Sequence, residues 1–131
     1  ILAIAIIFSL NIQSQSKPTT PPNDKVVKKA LYTTKEKETA RKNFLKEVDK
    51  IGMSPSVKTK YLAIVDKHTS RLKDANKDRK LTQSQATTNV NKIIKEQNQE
   101  IKNILTPDQY KQHKLIINRY QNSINYRIQN Q

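Results

Sequence analysis

The sequence predicts an all-α fold, and three observations carry that expectation. Apolar residues recur every three or four positions from Thr33 onward, no segment alternates with period two, and three Thr-x-x-Glu or Thr-x-x-Gln boxes stand where the apolar stripes begin. Residues at that spacing share one face of a helix, because about 3.6 residues complete a turn.

The first helix opens at Thr33. With Glu36 it forms a capping box, in which the threonine hydroxyl accepts from the third helical N–H and the Glu36 side chain returns to the Thr33 amide. Its stripe is Ala40, Phe44, Val48 and Ile51, and it ends at Gly52, the residue best able to take a left-handed conformation after a helix. The second helix runs from Pro55 to Asn76, with proline at the first helical position, where its missing N–H costs nothing. Its stripe is Val57, Tyr61, Ile64 with Val65, His68, Leu72 and Ala75. The third opens at Thr82 with Gln85 and carries Ala86, Val90, Ile93 with Ile94, Gln97, Ile101 and Ile104. The fourth opens at Thr106-Pro107 with Gln109, staples Leu105 onto Tyr110, and carries His113, Ile117, Tyr120, Ile124 and Ile128.

Composition narrows the function. Among 131 residues Gly52 is the one glycine, so the glycine-rich loops that cradle phosphates or dinucleotides are excluded. There is no cysteine, hence no disulfide, thiolate metal site or thiol nucleophile. Residues 1–16 hold no charge and begin with the apolar run Ile1 to Leu10, followed by Ser14-Gln15-Ser16. This reads as a signal peptide cut short at its N-terminus, which places the mature protein in the periplasm. The whole net charge of +14 then falls on Lys17 to Gln131. Residues 17–32, with Pro18, Pro21 and Pro22, read as a flexible basic arm whose later part, Val26 to Tyr32, has the composition for one or two docked helical turns. Residues 33–131 form the helical domain. A surface this basic attracts anions of several kinds, from acidic proteins to membrane headgroups. Aromatic residues make up only 5%, which leaves few stacking platforms for nucleic acid, and nucleic acid is not the expected partner.

Leu81-Thr82-Gln83-Ser84-Gln85 and Leu105-Thr106-Pro107-Asp108-Gln109 are two copies of L-T-x-x-Q, and Met53-Ser54-Pro55-Ser56-Val57 is a decayed third with valine in place of the glutamine. With the signal peptide and the basic helical body, this resembles the Spy/CpxP-like family of periplasmic LTxxQ-motif proteins, over residues 33–131. The resemblance implies a four-helix chain built on a long helical hairpin, pairing with a second copy into a thin, cradle-shaped antiparallel homodimer. It also implies chaperone activity without ATP or cofactor, with unfolded protein clients held on a basic and apolar concave surface. Relatives of this type include envelope-stress regulators and metal sensors, so a subunit docking on a membrane signalling protein is the alternative. One argument from the residues points the same way: thin helices with 34% hydrophobic residues can hardly cover their own stripes in one chain, so self-association is expected.

No catalytic constellation emerges, and the chain reads as a non-enzyme. Glu96 and Glu100 lie one turn apart, but di-metal bundles need Glu-x-x-His, and Gln99 and Asn103 stand at those positions; a solvated face helped by Lys92 and Lys102 fits better. His68 and His113 fall on apolar stripes and read as structural histidines, although with Asp66 or Asp108 they could begin a zinc or copper site. Lys60, Lys67 and Arg71 share a face of the second helix with Asp74, and Lys92 and Lys95 decorate the third; these basic residues are the candidate client contacts. Tyr61, Tyr110, Tyr120 and Tyr126 read as core or dimer contacts.

Overall fold

The computed structural model describes residues 24–27, 31–75 and 81–131. Four helices occupy most of them: α1 (Thr34–Asp49), α2 (Pro55–Ala75), α3 (Gln83–Lys102) and α4 (Pro107–Gln129). The described residues contain no strand, only an isolated antiparallel bridge between Val26 and Thr82. The all-α reading holds.

The three capping boxes are made in full. Thr33 Oγ1 accepts from the Glu36 N–H at 3.2 Å while Glu36 Oε2 accepts from the Thr33 N–H at 2.7 Å. Thr82 with Gln85 repeats this at 3.3 and 3.0 Å, and Thr106 with Gln109 at 3.2 and 3.1 Å. The decayed copy makes half a box. Ser54 Oγ accepts from the Val57 N–H at 3.3 Å, and Val57 has no polar atom to return the bond. At the other end of α1 the backbone tightens through Ile51, whose N–H donates to Val48 at 3.1 Å, and then reverses at Gly52 with φ +76°.

Cross-helix pairs define the topology. Lys67 and Arg71 of α2 meet Glu100 and Glu96 of α3, so these helices run antiparallel as a hairpin. Asn98 with His113 and Asn91 with Gln121 make α3 and α4 a second antiparallel pair. Glu47 with Arg119 and Glu36 with Arg127 lay α1 antiparallel against α4. Phe44 closes the interior from α1, stacked on Tyr61 of α2 at 6.5 Å and edge-on to Tyr120 of α4 at 5.4 Å.

Ala40, Phe44, Val48, Ile51, Tyr61, Val65, Leu72, Ala86, Val90, Ile93, Ile94, Ile101, Ile117, Tyr120, Ile124 and Ile128 are buried within one chain, whereas Val57, Ile64, Ala75, Ile104 and Tyr110 of the expected stripes are half-buried.

Residues 24–27, part of the basic arm, run extended along the start of α3, and residues 28–30 of the expected helical turns lie outside the described residues. The physical reason is the set of donors that every helix start leaves free. The Gln83 N–H donates to the Lys25 carbonyl at 2.8 Å, and the Ser84 N–H to Asp24 Oδ1 at 3.1 Å. With Thr82 Oγ1 taking Gln85 and the Thr82 carbonyl taking Ala86, each N–H of the first turn has an acceptor. The Ser84 N–H also holds the Asp24 carboxyl below its usual range. The signal-peptide reading of residues 1–16 lies outside the described residues.

Candidate functional site

The expected client residues divide between two environments. Lys67 and Arg71 stand on the α2–α3 seam and are engaged there. Lys67 Nζ donates to Glu100 Oε1 at 2.7 Å, and Arg71 Nη1 donates to Glu96. Between them lies His68, 1% exposed, whose Nε2 is 2.9 Å from Glu100 Oε1 and whose Nδ1 is 3.1 Å from Arg71 Nη1. A carboxylate only accepts, so Nε2–H donates to Glu100, and a guanidinium only donates, so Nδ1 faces the Arg71 N–H as acceptor. Lys67, with His68 behind it, lowers the Glu100 pKa, and Arg71 lowers that of Glu96. The two glutamates thus belong to a cross-helix cluster, not to a lysine-flanked surface of α3 alone. Lys60, Lys92 and Lys95 are exposed on the same two helices, and Lys92 lies near enough to Glu96 to stabilise its charge.

His113 occupies a different setting, fully buried where α2, α3 and α4 meet. Asn98 Oδ1 lies 2.7 Å from Nε2, and the Tyr61 hydroxyl lies 2.9 Å from Nδ1. Nε2 therefore donates to the amide oxygen, and Nδ1 accepts from Tyr61. Desolvation, with Lys114 nearby, pushes the His113 pKa down to about 4, and burial raises that of Tyr61. Both histidines have both ring nitrogens engaged by the chain's own side chains. Asp66 and Asp108 make no hydrogen bond to either imidazole, and among the described residues no three His, Asp or Glu side chains are grouped to hold a metal ion.

The motif residues are structural, with one addition that the sequence did not announce. Gln109 Nε2 also donates to the Gly52 carbonyl at 3.3 Å, so the second L-T-x-x-Q glutamine ties the α1–α2 corner to the start of α4. Gln85 of the first copy only completes its box, and the adjacent Gln83 reaches across instead, its Nε2 donating to the Ile128 carbonyl at 2.8 Å near the end of α4. Leu105 is half-buried against the core with Tyr110, as a staple requires, and Leu81 is half-buried at the α3 start, its carbonyl accepting from Val27.

Exposed apolar surface concentrates on α4. Leu115 is 63% exposed and Tyr126 is 53% exposed, eleven residues apart and so on nearly one line of the helix. Tyr61 and Tyr120 are core residues and Tyr110 is half-buried, whereas Tyr126 makes no core contact of the kind expected. Lys111, Asn118, Arg119 and Asn122 complete that ridge. No helix is long and apolar enough to cross a membrane among the described residues. No protein-family model, curated protein or solved structure matches the chain.

Proposed function

We propose that the chain is an ATP-independent, chaperone-like protein of the periplasm, similar to the Spy/CpxP-like LTxxQ proteins, that holds unfolded or partly folded clients without a cofactor and without enzymatic chemistry. The observation that carries this reading is the α4 ridge, where Leu115 and Tyr126 stand exposed with Lys111 and neutral amides, while Arg119 on the same line is tied to Glu47. Exposed apolar side chains on a basic surface suit a weak hold on many chains that expose both acidic and hydrophobic residues. Lys60, Lys92 and Lys95 extend the basic field, whereas Lys67 and Arg71 are spent on the seam. The repeated motif supports the same reading, since both full copies open helices of a four-helix chain. In this proposal the protein works as a homodimer, formed through surfaces other than the buried stripes.

Light scattering from a reduced or heat-denatured test protein, without nucleotide, tests the function. Stoichiometric amounts of the chain are expected to suppress aggregation, and a Leu115→Ser/Tyr126→Ser variant to suppress it less at equal helicity. Unchanged aggregation with the unaltered chain contradicts the proposal and transfers the case to a docking subunit with one tight, saturable partner.

A further inference from the structure

Helix α1 pairs most of its acids with cations of other helices. Three of its four carboxylates turn to the neighbouring helices: Glu36 binds Arg127 at 2.7 Å, Glu47 binds Arg119 at 2.9 Å, and Asp49 binds Lys58. Arg127 further donates to the Leu31 carbonyl at 2.7 Å and lies over the Tyr32 ring, which holds the Glu36 carboxyl down at about 2 together with the Thr33 amide. The outer side of the helix carries a line of lysines. Lys35, Thr39, Lys42, Lys46 and Lys50 follow one another at steps of three and four residues, all exposed, with the helical conformation continuing through the C-cap Lys50. No carboxylate pairs with these four lysines among the described residues, and the exposed Glu38 and the Lys58-bound Asp49 stand along one edge of the ridge. At ~1.5 Å per residue the ridge is about 22 Å long.

We propose that this lysine ridge is a docking surface for an anionic lipid bilayer, with α1 lying along the headgroups. The four lysines lie along one side of a single helix, so their flexible stems can bring all four ammonium groups to one plane. Lysine presents a compact charge on a flexible stem, which suits phosphates that move laterally in a membrane. Base recognition would call for aromatic, amide or arginine side chains, and the ridge has none of these. The proposal is independent of the client-holding function and uses a different face.

Co-sedimentation of the full chain with vesicles of phosphatidylglycerol and phosphatidylcholine, against phosphatidylcholine alone, tests it. Binding is expected only to the anionic vesicles, weakening about fivefold for each ridge lysine removed, so that K35Q/K42Q/K46Q/K50Q loses roughly two orders of magnitude or more. The K35R/K42R/K46R/K50R variant keeps the binding. K60Q/K67Q/K92Q/K95Q, which removes the same charge elsewhere, is expected to lose far less. Equal loss in that control overturns the proposal in favour of net charge alone. Tighter binding of a nucleic-acid duplex at the same salt overturns it in favour of a polynucleotide, and indifference to vesicle charge overturns it outright.

Discussion

The α2–α3 seam and the outer face of α1 carry similar lysine patterns in the sequence and opposite electrostatics in the structure. On the seam, Lys67 and Arg71 are tied to Glu100 and Glu96 with a buried histidine between them. On α1, Glu36, Glu47 and Asp49 pair with cations of α4 and α2, and Lys35, Lys42, Lys46 and Lys50 face outward with no such partner among the described residues. Helical spacing identifies which residues share a face. Whether their charge is available to a partner depends on acids contributed by neighbouring helices, and those come from positions far away in the chain.

The core behind both faces sets the baseline, and acid has the largest effect on it. An unfolded histidine titrates near 6.5, while His113 in the folded chain titrates near 4. Between those values the unfolded state binds a proton that the native state does not, so stability falls as pH drops through that window, by about 3 kcal/mol in total. Denaturant melts at intervals from pH 7 to 4 check this, and a His113→Gln variant is expected to flatten that part of the profile. Glu36 adds a smaller loss of the same sign below about pH 4.5, since its folded pKa is lowered to about 2.

The next effect separates the two faces directly. Glu100→Ala removes the acceptor of the buried His68 N–H and is expected to cost about 2 kcal/mol, whereas Lys46→Ala, with no partner to lose, stays within about 0.5 kcal/mol. Similar costs for both, measured by urea unfolding, would erase the distinction between engaged and free charges. Smaller again are the corners. Thr106→Ala is expected to lower stability by about 1 kcal/mol. Gln109→Ala is expected to cost more than Gln85→Ala by several tenths of a kcal/mol, because only Gln109 also holds Gly52; equal thermal shifts for the two glutamines would remove that link.

The elements most legible in the sequence depend on neighbours three or four residues apart. Thr33 with Glu36, Thr82 with Gln85 and Thr106 with Gln109 named three helix starts, and the stripes through Phe44, Val90 and Ile124 named the buried faces. Contacts between distant residues stayed hidden. Tyr61 and His113 are 52 positions apart, and nothing local marks Asn98 as their third member beyond an amide on the apolar side of α3. The docking of residues 24–27 was hidden for the same reason, since its cause is the free donors of a helix start nearly sixty residues downstream. Of the candidate client residues, periodicity grouped Lys60, Lys67 and Arg71 correctly on α2 but could not foresee Glu96 and Glu100 arriving across the seam. An exposed apolar side chain such as Tyr126 looks like a core residue until α1 is seen to pack elsewhere on α4.

Lysine footprinting by acetylation and mass spectrometry, on the free protein and again with anionic vesicles, tests the partition of charge most directly. Fast modification of Lys35, Lys42, Lys46 and Lys50 is expected, with slow modification of Lys67 and Lys58, and protection by vesicles confined to the first four. Comparable rates at Lys67 and Lys46, or vesicle protection centred on Lys92 and Lys95, would contradict that partition.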